Sequence, residues 1–281
     1  MSETLKWRKM KKRHIAQTET LLQSQERWCM NACSRYLHRG AKDSVWTLRN
    51  KAGDIFALIV QINQNLLPVL CGRKDIPPPH FLRGLFGAVS IHSLQGRTED
   101  ALIMESELEK IGLSAAEKID YDLMCMDNSP SARYVSYGPM GLVIRKPQSA
   151  DMDALAALQA AYEREEVLPA ASEFSAAVSR LNIEHIYAKE QMLVAELGGH
   201  LIGKINTNAF AFTRCQVGGV YVDPSCRGQG IASRMAGEFT TGLAAQGRGI
   251  SLFVKKSNPS ARRVYQRLGY EILGDYRINY Y

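Results

Sequence analysis

The stretch Arg227-Gly228-Gln229-Gly230-Ile231-Ala232 lies between an apolar run that ends at Val222 and a segment with helical periodicity. Two glycines at a strand-to-helix turn leave the loop without bulky side chains and expose its backbone N–H groups. The first N–H groups of a helix have no partner within the helix, and the helix dipole adds partial positive charge there. The stretch therefore predicts a pyrophosphate site, with Arg227 at its rim as a forked donor. A plain strand–turn–helix connection would also fit these six residues.

A second informative segment runs from Asn258 to Tyr270 and predicts a short helix. Pro259 suits the first helical turn, where its missing N–H costs nothing, and Gly269 suits the left-handed position just past the last turn. At helical spacing, one face of this helix carries Ala261, Val264, Tyr265 and Leu268.

In this order and at this separation, the two segments resemble the GCN5-related N-acetyltransferase (GNAT) family, over about Leu142 to Tyr281. The resemblance implies an α/β (α+β) fold, in which a mixed, mostly antiparallel twisted sheet is flanked by helices. It implies acetyl-CoA as co-substrate, with its thiol end near Asn258 and Tyr265 and its pantetheine arm along Val220, Tyr221 and Val222. The pyrophosphate would then be held by Arg227, Gly228, Gln229, Gly230, Ile231 and Ala232.

The resemblance also implies direct transfer of the acetyl group to an amine, without an acyl-enzyme. Tyr265 is the predicted proton donor for the departing thiolate, because a phenol with a pKa of about 10 keeps its proton at neutral pH. The same pattern would fit a tyrosine of the core. Asn258 is predicted to bind the pantetheine arm or to orient Tyr265, and it could equally cap the helix.

The proton acceptor is not determined by the sequence. An alkyl amine with a pKa of about 10.4 must lose a proton before it attacks. The candidates are Glu165 and Glu166, with Glu173 and Glu196 as weaker ones. Glu166 is the first choice because it precedes the apolar Val167-Leu168-Pro169. Each of the four would also fit a solvated surface carboxylate.

Gly218 and Gly219 are adjacent within the predicted strand that leads into the loop. Glycines inside a strand commonly mark a bulge or a close approach of backbone. In a GNAT domain, this strand parts from its neighbour and a backbone N–H polarises the thioester carbonyl, so the pair fits the resemblance. Packing against a helix would also explain it.

The length of 281 residues predicts two domains. We expect a basic helical segment at 1–40, an α/β domain at 41–128, a linker at 129–140 and the GNAT domain at 141–281. The order of elements in 41–128 is similar to a GNAT core without its first elements, so this part could be a degenerate copy; an unrelated α/β domain would give the same pattern. It lacks an Arg-x-x-Gly-x-Gly loop, which argues against acetyl-CoA binding there.

Composition excludes several classes. The chain has no apolar run of about 18 residues and no apolar signal-peptide core, so we expect neither a membrane span nor secretion. Six cysteines without regular spacing fit a cytoplasmic protein and no metal site. Residues 1–40 carry nine Lys and Arg against three Glu. This segment could contact nucleic acid, an anionic membrane or an acidic partner, or be a solvated face; without basic and aromatic residues interleaved elsewhere, nucleic-acid binding is not favoured.

The predicted function is acetyl-CoA-dependent N-acetylation of a primary amine on a small molecule or peptide. Alternatives are transfer of a longer acyl group from CoA, a ligase that uses aminoacyl-tRNA, and a non-catalytic acyl-CoA sensor. The pyrophosphate loop argues against a tRNA donor, because such donors do not present CoA. The sequence names neither the acceptor nor the oligomeric state.

Overall fold

A computed structural model of the chain describes residues 4–74, 82, 91–127, 138–168 and 173–281. The chain forms two compact units. Unit 1 comprises Met1–Leu123 and Leu273–Tyr281, and unit 2 comprises Met124–Ile272. Most of the predicted linker at 129–140 lies outside the described residues. These boundaries differ from the predicted division at both ends of the C-terminal domain.

Unit 1 is an α/β unit with one mixed sheet. Its strand order is β1-β2-β3-β4-β5-β12-β6. From β1 to β12 in this order, neighbouring strands are antiparallel except that β4 and β5 run parallel. Its elements are β1 (Lys6–Lys9), α1 (Ile15–Leu37), β2 (Ser44–Arg49), β3 (Ile55–Ile62), β4 (Asn65–Val69), β5 (Ser93–Arg97), α2 (Thr98–Glu109), β6 (Glu117–Met126) and most of β12 (Glu271–Tyr280).

The prediction of helix alone for residues 1–40 is wrong at its start, where Lys6–Lys9 is a strand paired with β2. Trp7 is buried in the core while Lys6, Arg8 and Lys9 are exposed. The basic side chains suit an edge strand, because charge discourages pairing with another chain. The basic segment is therefore the first strand and first helix of unit 1, the elements that the sequence pattern left out.

Unit 2 contains the two segments that the sequence singled out. Its strands are ordered β11-β10-β9-β8-β7, antiparallel except for the parallel pair β10 and β11. Its elements are β7 (Val143–Arg145), α3 (Met152–Tyr162), a π-helical turn (Glu163–Val167), α4 (Ala176–Lys189), β8 (Met192–Leu197), β9 (His200–Phe210), β10 (Arg214–Val222), α5 (Ile231–Ala244), β11 (Gly249–Lys255) and α6 (Pro259–Leu268).

Helices cover both faces of the sheet of unit 2. Met235 and Phe239 of α5 pack with Val217 and Leu252 of the sheet, and Met124 and Met126 belong to the same core. Leu155 of α3 and Ile183 of α4 pack on the other face, against Met192 and Val194. The apolar faces of the helices and the alternating strands together bury a two-sided core.

The two units share one pattern of strands. In each, four strands follow one another antiparallel, and a fifth lies parallel to the fourth. A helix lies between the first and second strands of each unit. The N-terminal half therefore repeats the strand topology of the C-terminal half.

The GNAT domain was predicted to extend to residue 281. Instead, Tyr276–Tyr280 pairs antiparallel with Ser93–Arg97 of β5, in unit 1. Tyr276 and Asn279 are buried there, and Asn279 Nδ2 donates to Glu105 Oε2 at 2.9 Å. The strand lies in unit 1 because its buried polar groups find their partners there.

None of the helices in the described part of the chain has the length and apolar character needed to cross a membrane.

Candidate functional site

The strands β10 and β11 separate at one end. They pair in parallel only from Arg214 to Val217 on β10, opposite Gly249 to Leu252 on β11. Beyond this point β10 continues to Val222 and β11 to Lys255. Their unpaired ends leave a gap in the sheet lined by backbone groups, as the family resemblance predicted.

A β-bulge lies on β10 where the gap begins. Gly218 faces Asn206 on β9, yet Tyr221 faces Lys204, so β10 has one residue more than β9 between these pairs. Gly219 has a φ of +58°, and a Cβ there would lie 1.9 Å from Asn206 Oδ1. A Cβ on Gly218 would lie 2.0 Å from Asn208 Nδ2. The structure thus confirms the predicted bulge. At Gly219 the positive φ and the buried Asn206 side chain both disfavour a larger residue, whereas the clash at Gly218 involves only the end of the exposed Asn208 side chain.

The loop after β10 leaves the first turn of α5 open. Asp223 caps a 3-10 turn at Pro224–Cys226 through its contact with the Ser225 N–H. Gly228 and Gly230 follow with φ values of +80° and +81°, in the left-handed region. Gly230 is the N-cap of α5 and has no side chain to accept the first N–H groups. Unpartnered N–H groups and the helix dipole favour an anion at such a helix end.

A cleft of about 470 Å³ connects this loop with α6. Its lining includes nine of the predicted cofactor-binding residues and both predicted catalytic residues. Eleven residues of the prediction line it: Val220, Tyr221, Val222, Arg227, Gly228, Gly230, Ile231, Ala232, Asn258, Tyr265 and Glu166. Gln229 is exposed and is not part of the lining.

Seven further residues line the cleft. Glu165 was named from the sequence as a candidate base, and the other six were not assigned to the site: Cys226, Ser233, Ser260, Ala261, Val264 and Arg267. Three of these lie in the first turns of α5 and α6: Ser233, Ser260 and Ala261. Ala261 and Val264 were recognised only as members of an apolar helical face. Their signal was the spacing to Tyr265, which places them on the same side of α6.

Arg227 is engaged with a carboxylate in this structure. Its two terminal nitrogens donate to both oxygens of Glu165, at 2.7 and 2.8 Å, and its Nε donates to the Val222 carbonyl at 2.9 Å. The guanidinium group also lies 5.3 Å from the Tyr221 ring centre. The hydrogen bonds from Arg227 are the main cause that lowers the pKa of Glu165, which makes this carboxylate a weak base.

Asn258 begins α6 and also reaches the cleft. Its Oδ1 accepts the Ala261 N–H at 3.0 Å, which is a helix N-cap. Its Nδ2 lies 3.5 Å from Glu166 Oε1, and Lys255 Nζ lies 3.7 Å from Glu166 Oε2. Glu166 thus faces Asn258 across the cleft on the π-helical turn.

Tyr265 is buried in the cleft wall, 7% exposed, with its ring 5.5 Å from that of Tyr270. Burial raises the pKa of Tyr265 well above the usual value of a phenol, and the neighbouring Tyr162 and Glu166 raise it further. The hydroxyl therefore keeps its proton at neutral pH and is available as a donor.

Of the four candidate bases, the structure brings Glu165 and Glu166 to the cleft. Glu173 is not part of its lining. Glu196 lies on β8, where its Oε2 accepts from Arg145 Nε at 2.7 Å. Residues 169–172 of the loop that was expected to face the acceptor lie outside the described residues.

The family model described as "Acetyltransferase (GNAT) family" matches residues 155–270. These residues form a GNAT domain. The match spans both motifs and every residue that lines the cleft. Acetyltransfer from acyl-CoA is the general activity of this family.

Solved structures extend the likeness to nearly the whole chain. A GCN5-related N-acetyltransferase from Sphaerobacter thermophilus is 17% identical, with a TM-score of 0.62 over 98% of this chain and 94% of its own. A tandem GNAT protein from the clavulanic acid biosynthesis pathway is 12% identical, with a TM-score of 0.62 over 98% of each chain. A GNAT-family acetyltransferase from Colwellia psychrerythraea is 11% identical, with a TM-score of 0.55 over 98% of each chain.

At these identities the likeness is one of fold. It shows that the N-terminal half is GNAT-like as well, in agreement with its strand order. No curated protein matches the sequence significantly.

Proposed function

We propose that the GNAT domain transfers the acetyl group of acetyl-CoA to a primary amine by direct attack. The observation that carries the proposal is the cleft itself. It joins an uncapped helix N-terminus, a gap between two parallel strands and a buried tyrosine hydroxyl. A pyrophosphate, an extended pantetheine arm and a thioester require these three features in this order.

The binding roles follow from the geometry. The N–H groups around Gly228, Gly230, Ile231 and Ala232 would hold the pyrophosphate, and exposed Gln229 would contribute its backbone. Val220, Tyr221 and Val222 would line the pantetheine arm, and Asn258 would meet its thiol end. Arg227 would exchange Glu165 for phosphate oxygens when the ligand enters.

The chemical step needs one donor and one acceptor of protons. The amine nitrogen attacks the thioester carbonyl carbon, the new N–C bond forms and the C–S bond breaks. The departing thiolate receives the hydroxyl proton of Tyr265, and the proton of the amine passes to a base. Glu166 is our candidate base, because it lines the cleft and its carboxylate is not held by a short ion pair as that of Glu165 is.

Calorimetry with acetyl-CoA tests the proposal. We expect binding by the wild type and its loss in the double variant Gly228→Ala/Gly230→Ala, because alanine is strained at these left-handed positions. Gly242→Ala is the matched control in the last turn of α5, where a Cβ meets no atom within 4 Å and φ is not positive. Failure of the wild type to bind would overturn the proposal. If the wild type binds acetyl-CoA, the next experiment is a screen of amine acceptors, including peptides, with longer acyl-CoA donors tested in parallel.

A further inference from the structure

Lys204 is a fully buried lysine of β9 that the sequence analysis passed over. Its relative exposure is 0%. It lies on the side of the sheet covered by α3, with its Nζ 4.6 Å from the centre of the Tyr162 ring. A lysine is almost never buried to this degree unless its charge is used or compensated.

The ammonium group of Lys204 is bonded to the bulge on β10. Its Nζ donates to the Gly219 carbonyl oxygen at 3.0 Å and to Asn206 Oδ1 at 3.3 Å. The third N–H is left for the face of the Tyr162 ring, a favourable cation–π position. Two oxygens and a ring face thus match the three donors of a charged amine.

Gly219 and Val220 share the peptide unit at which this lysine acts. Neither residue has a partner in the pairing of β10 with β9 or with β11, although all three strands are described. In a trans peptide, the carbonyl and the N–H of one unit point in opposite directions, and the described backbone has no cis peptide. With its carbonyl bonded to Lys204, this unit turns the Val220 N–H away from the lysine, and Val220 lines the cleft.

We propose that Lys204 is a positioning residue of the GNAT domain: its ammonium group holds the Gly219 carbonyl, so that the Val220 N–H faces the thioester carbonyl of acetyl-CoA. The bond from a cation to one end of the peptide also polarises the N–H at its other end, as in a chain of hydrogen bonds. The inference rests on the proposed function, because it needs acetyl-CoA in this cleft.

The charges around Lys204 bear on its protonation. Burial lowers the pKa of Lys204 to about 7, and the buried carboxylate of Glu163 raises it. Glu163 is itself fixed by Gln159 Nε2 at 2.8 Å and Asn182 Nδ2 at 3.0 Å. Tyr162 of α3, Asn206 of β9 and Tyr221 of β10, which is paired with Lys204, complete the surroundings, and Val194 of β8 opposite Lys204 is apolar. The charged form therefore predominates below neutral pH and is lost as the pH rises.

A comparison of two ligands isolates this role. CoA has the pyrophosphate and the pantetheine arm but no thioester carbonyl. For Lys204→Met we expect the Kd of acetyl-CoA to rise about three- to tenfold, the worth of one lost hydrogen bond, and that of CoA to stay within about twofold. Lys189→Met, at an exposed position on α4, is the control and should leave both constants unchanged.

A spectroscopic measurement on the same samples detects the polarisation itself. The infrared stretch of an isotope-labelled thioester carbonyl should fall in frequency when acetyl-CoA binds the wild type. The shift should weaken as the pH rises from about 6 to about 9, while Lys204 loses its proton. It should be absent in Lys204→Met, and Lys204→Arg, which stays charged throughout, should retain a shift that does not vary with pH.

The outcomes separate the two proposals. If the wild type binds neither CoA nor acetyl-CoA, the proposed function fails and this inference falls with it. If the wild type binds both, and Lys204→Met keeps the carbonyl shift and the preference for acetyl-CoA, only the role of Lys204 is refuted. Should Lys204→Met not fold, the pH dependence of the wild-type shift decides: a shift that does not change with pH refutes the role.

Discussion

Tyr265 is the proposed proton donor of the candidate site. Its hydroxyl lies in the cleft wall, and its pKa is raised chiefly by burial. For Tyr265→Phe we expect acetyl transfer to slow by roughly 100-fold, the usual worth of general acid catalysis. The Kd of acetyl-CoA should change little, because phenylalanine keeps the ring packed against Tyr270. Steady-state kinetics and calorimetry measure the two quantities.

The pH profile adds a second check on Tyr265. Because burial raises its pKa, the hydroxyl stays protonated beyond the ordinary range of a phenol. The wild-type rate should therefore show no alkaline decline from this group below about pH 10. If Tyr265→Phe transfers acetyl groups at the wild-type rate, Tyr265 is only a residue of the core.

If acetyl-CoA binds as proposed, Glu165 competes with its phosphates for Arg227. Both oxygens of its carboxylate are bonded to the guanidinium group, which must turn to a phosphate if Arg227 is to bind one. The pair is partly exposed and worth little in water. We expect Glu165→Gln to tighten acetyl-CoA binding about two- to fivefold and Arg227→Gln to weaken it. Equal affinity in all three proteins, measured by calorimetry, would exclude Arg227 from phosphate binding.

Asp100 gives unit 1 a pH-dependent stability. Its Oδ2 accepts the Leu70 N–H at 3.1 Å, while its buried Oδ1 has no hydrogen-bond partner among the described residues. Burial raises its pKa from 3.8 to about 6. Between these values the folded protein holds a proton that the unfolded chain has released, so this group stabilises less as the pH rises from about 4 to above 6.

Asp100→Asn removes this titration. The free energy of unfolding of the variant, relative to the wild type, should grow by on the order of 2 kcal/mol between about pH 4 and pH 7. Urea denaturation at both pH values measures the change. Glu109→Gln, at an exposed position at the end of the same helix, serves as control. A difference between Asp100→Asn and wild type that does not vary with pH would contradict the assigned pKa.

At the scale of elements, Asn258 at the start of α6 has a structural role and a proposed functional one. Asn258 caps the helix through its Oδ1 and turns its Nδ2 toward Glu166. Asn258→Ala should cost about 1 kcal/mol of stability and also weaken binding, because both contacts are lost. Asn258→Ser keeps a cap and should recover the stability alone. Thermal unfolding and acetyl-CoA binding separate the two; recovery of both by serine would reduce Asn258 to a cap.

The elements of the cleft could be predicted because their signals are local. Gly228, Gly230, Pro259 and Gly269 mark turns and helix ends through their own backbone preferences. The adjacent glycines at 218 and 219 indicated the bulge for the same reason. The contact of Lys204 with Gly219 could not be predicted in this way, because it depends on the register between β9 and β10. The ion pair of Arg227 with Glu165 likewise joins residues from distant parts of the chain.

At the scale of the whole molecule, the sequence analysis assigns the last strand to the wrong unit, because the strand pairs with residues that are far away in the sequence. Residues 274–281 were predicted to belong to the C-terminal domain at 141–281, because nothing local in them says which sheet receives the strand. The structure places Leu273–Tyr281 in unit 1, where Tyr276 is 2% exposed and its hydroxyl lies 3.4 Å from Gln95 Oε1.

The place of Leu273–Tyr281 in unit 1 predicts that this segment stabilises β4 and β5. Deletion of Leu273–Tyr281 would remove one of the two strand partners of β5 and leave Glu105 without the Asn279 contact. We expect the amides of β4 and β5 to lose protection from hydrogen exchange, because the deletion exposes an edge strand and buried apolar surface. Deletion of Tyr281 alone keeps all five strand pairs and is the matched control. Every residue that lines the cleft precedes the deletion, so acetyl-CoA binding should outlast the protection of β5. If β4 and β5 stay protected without the last strand, the N-terminal residues of unit 1 fold without residues 273–281. The predicted domain boundary at residue 141 would then describe the folding units better than the division into units 1 and 2 does.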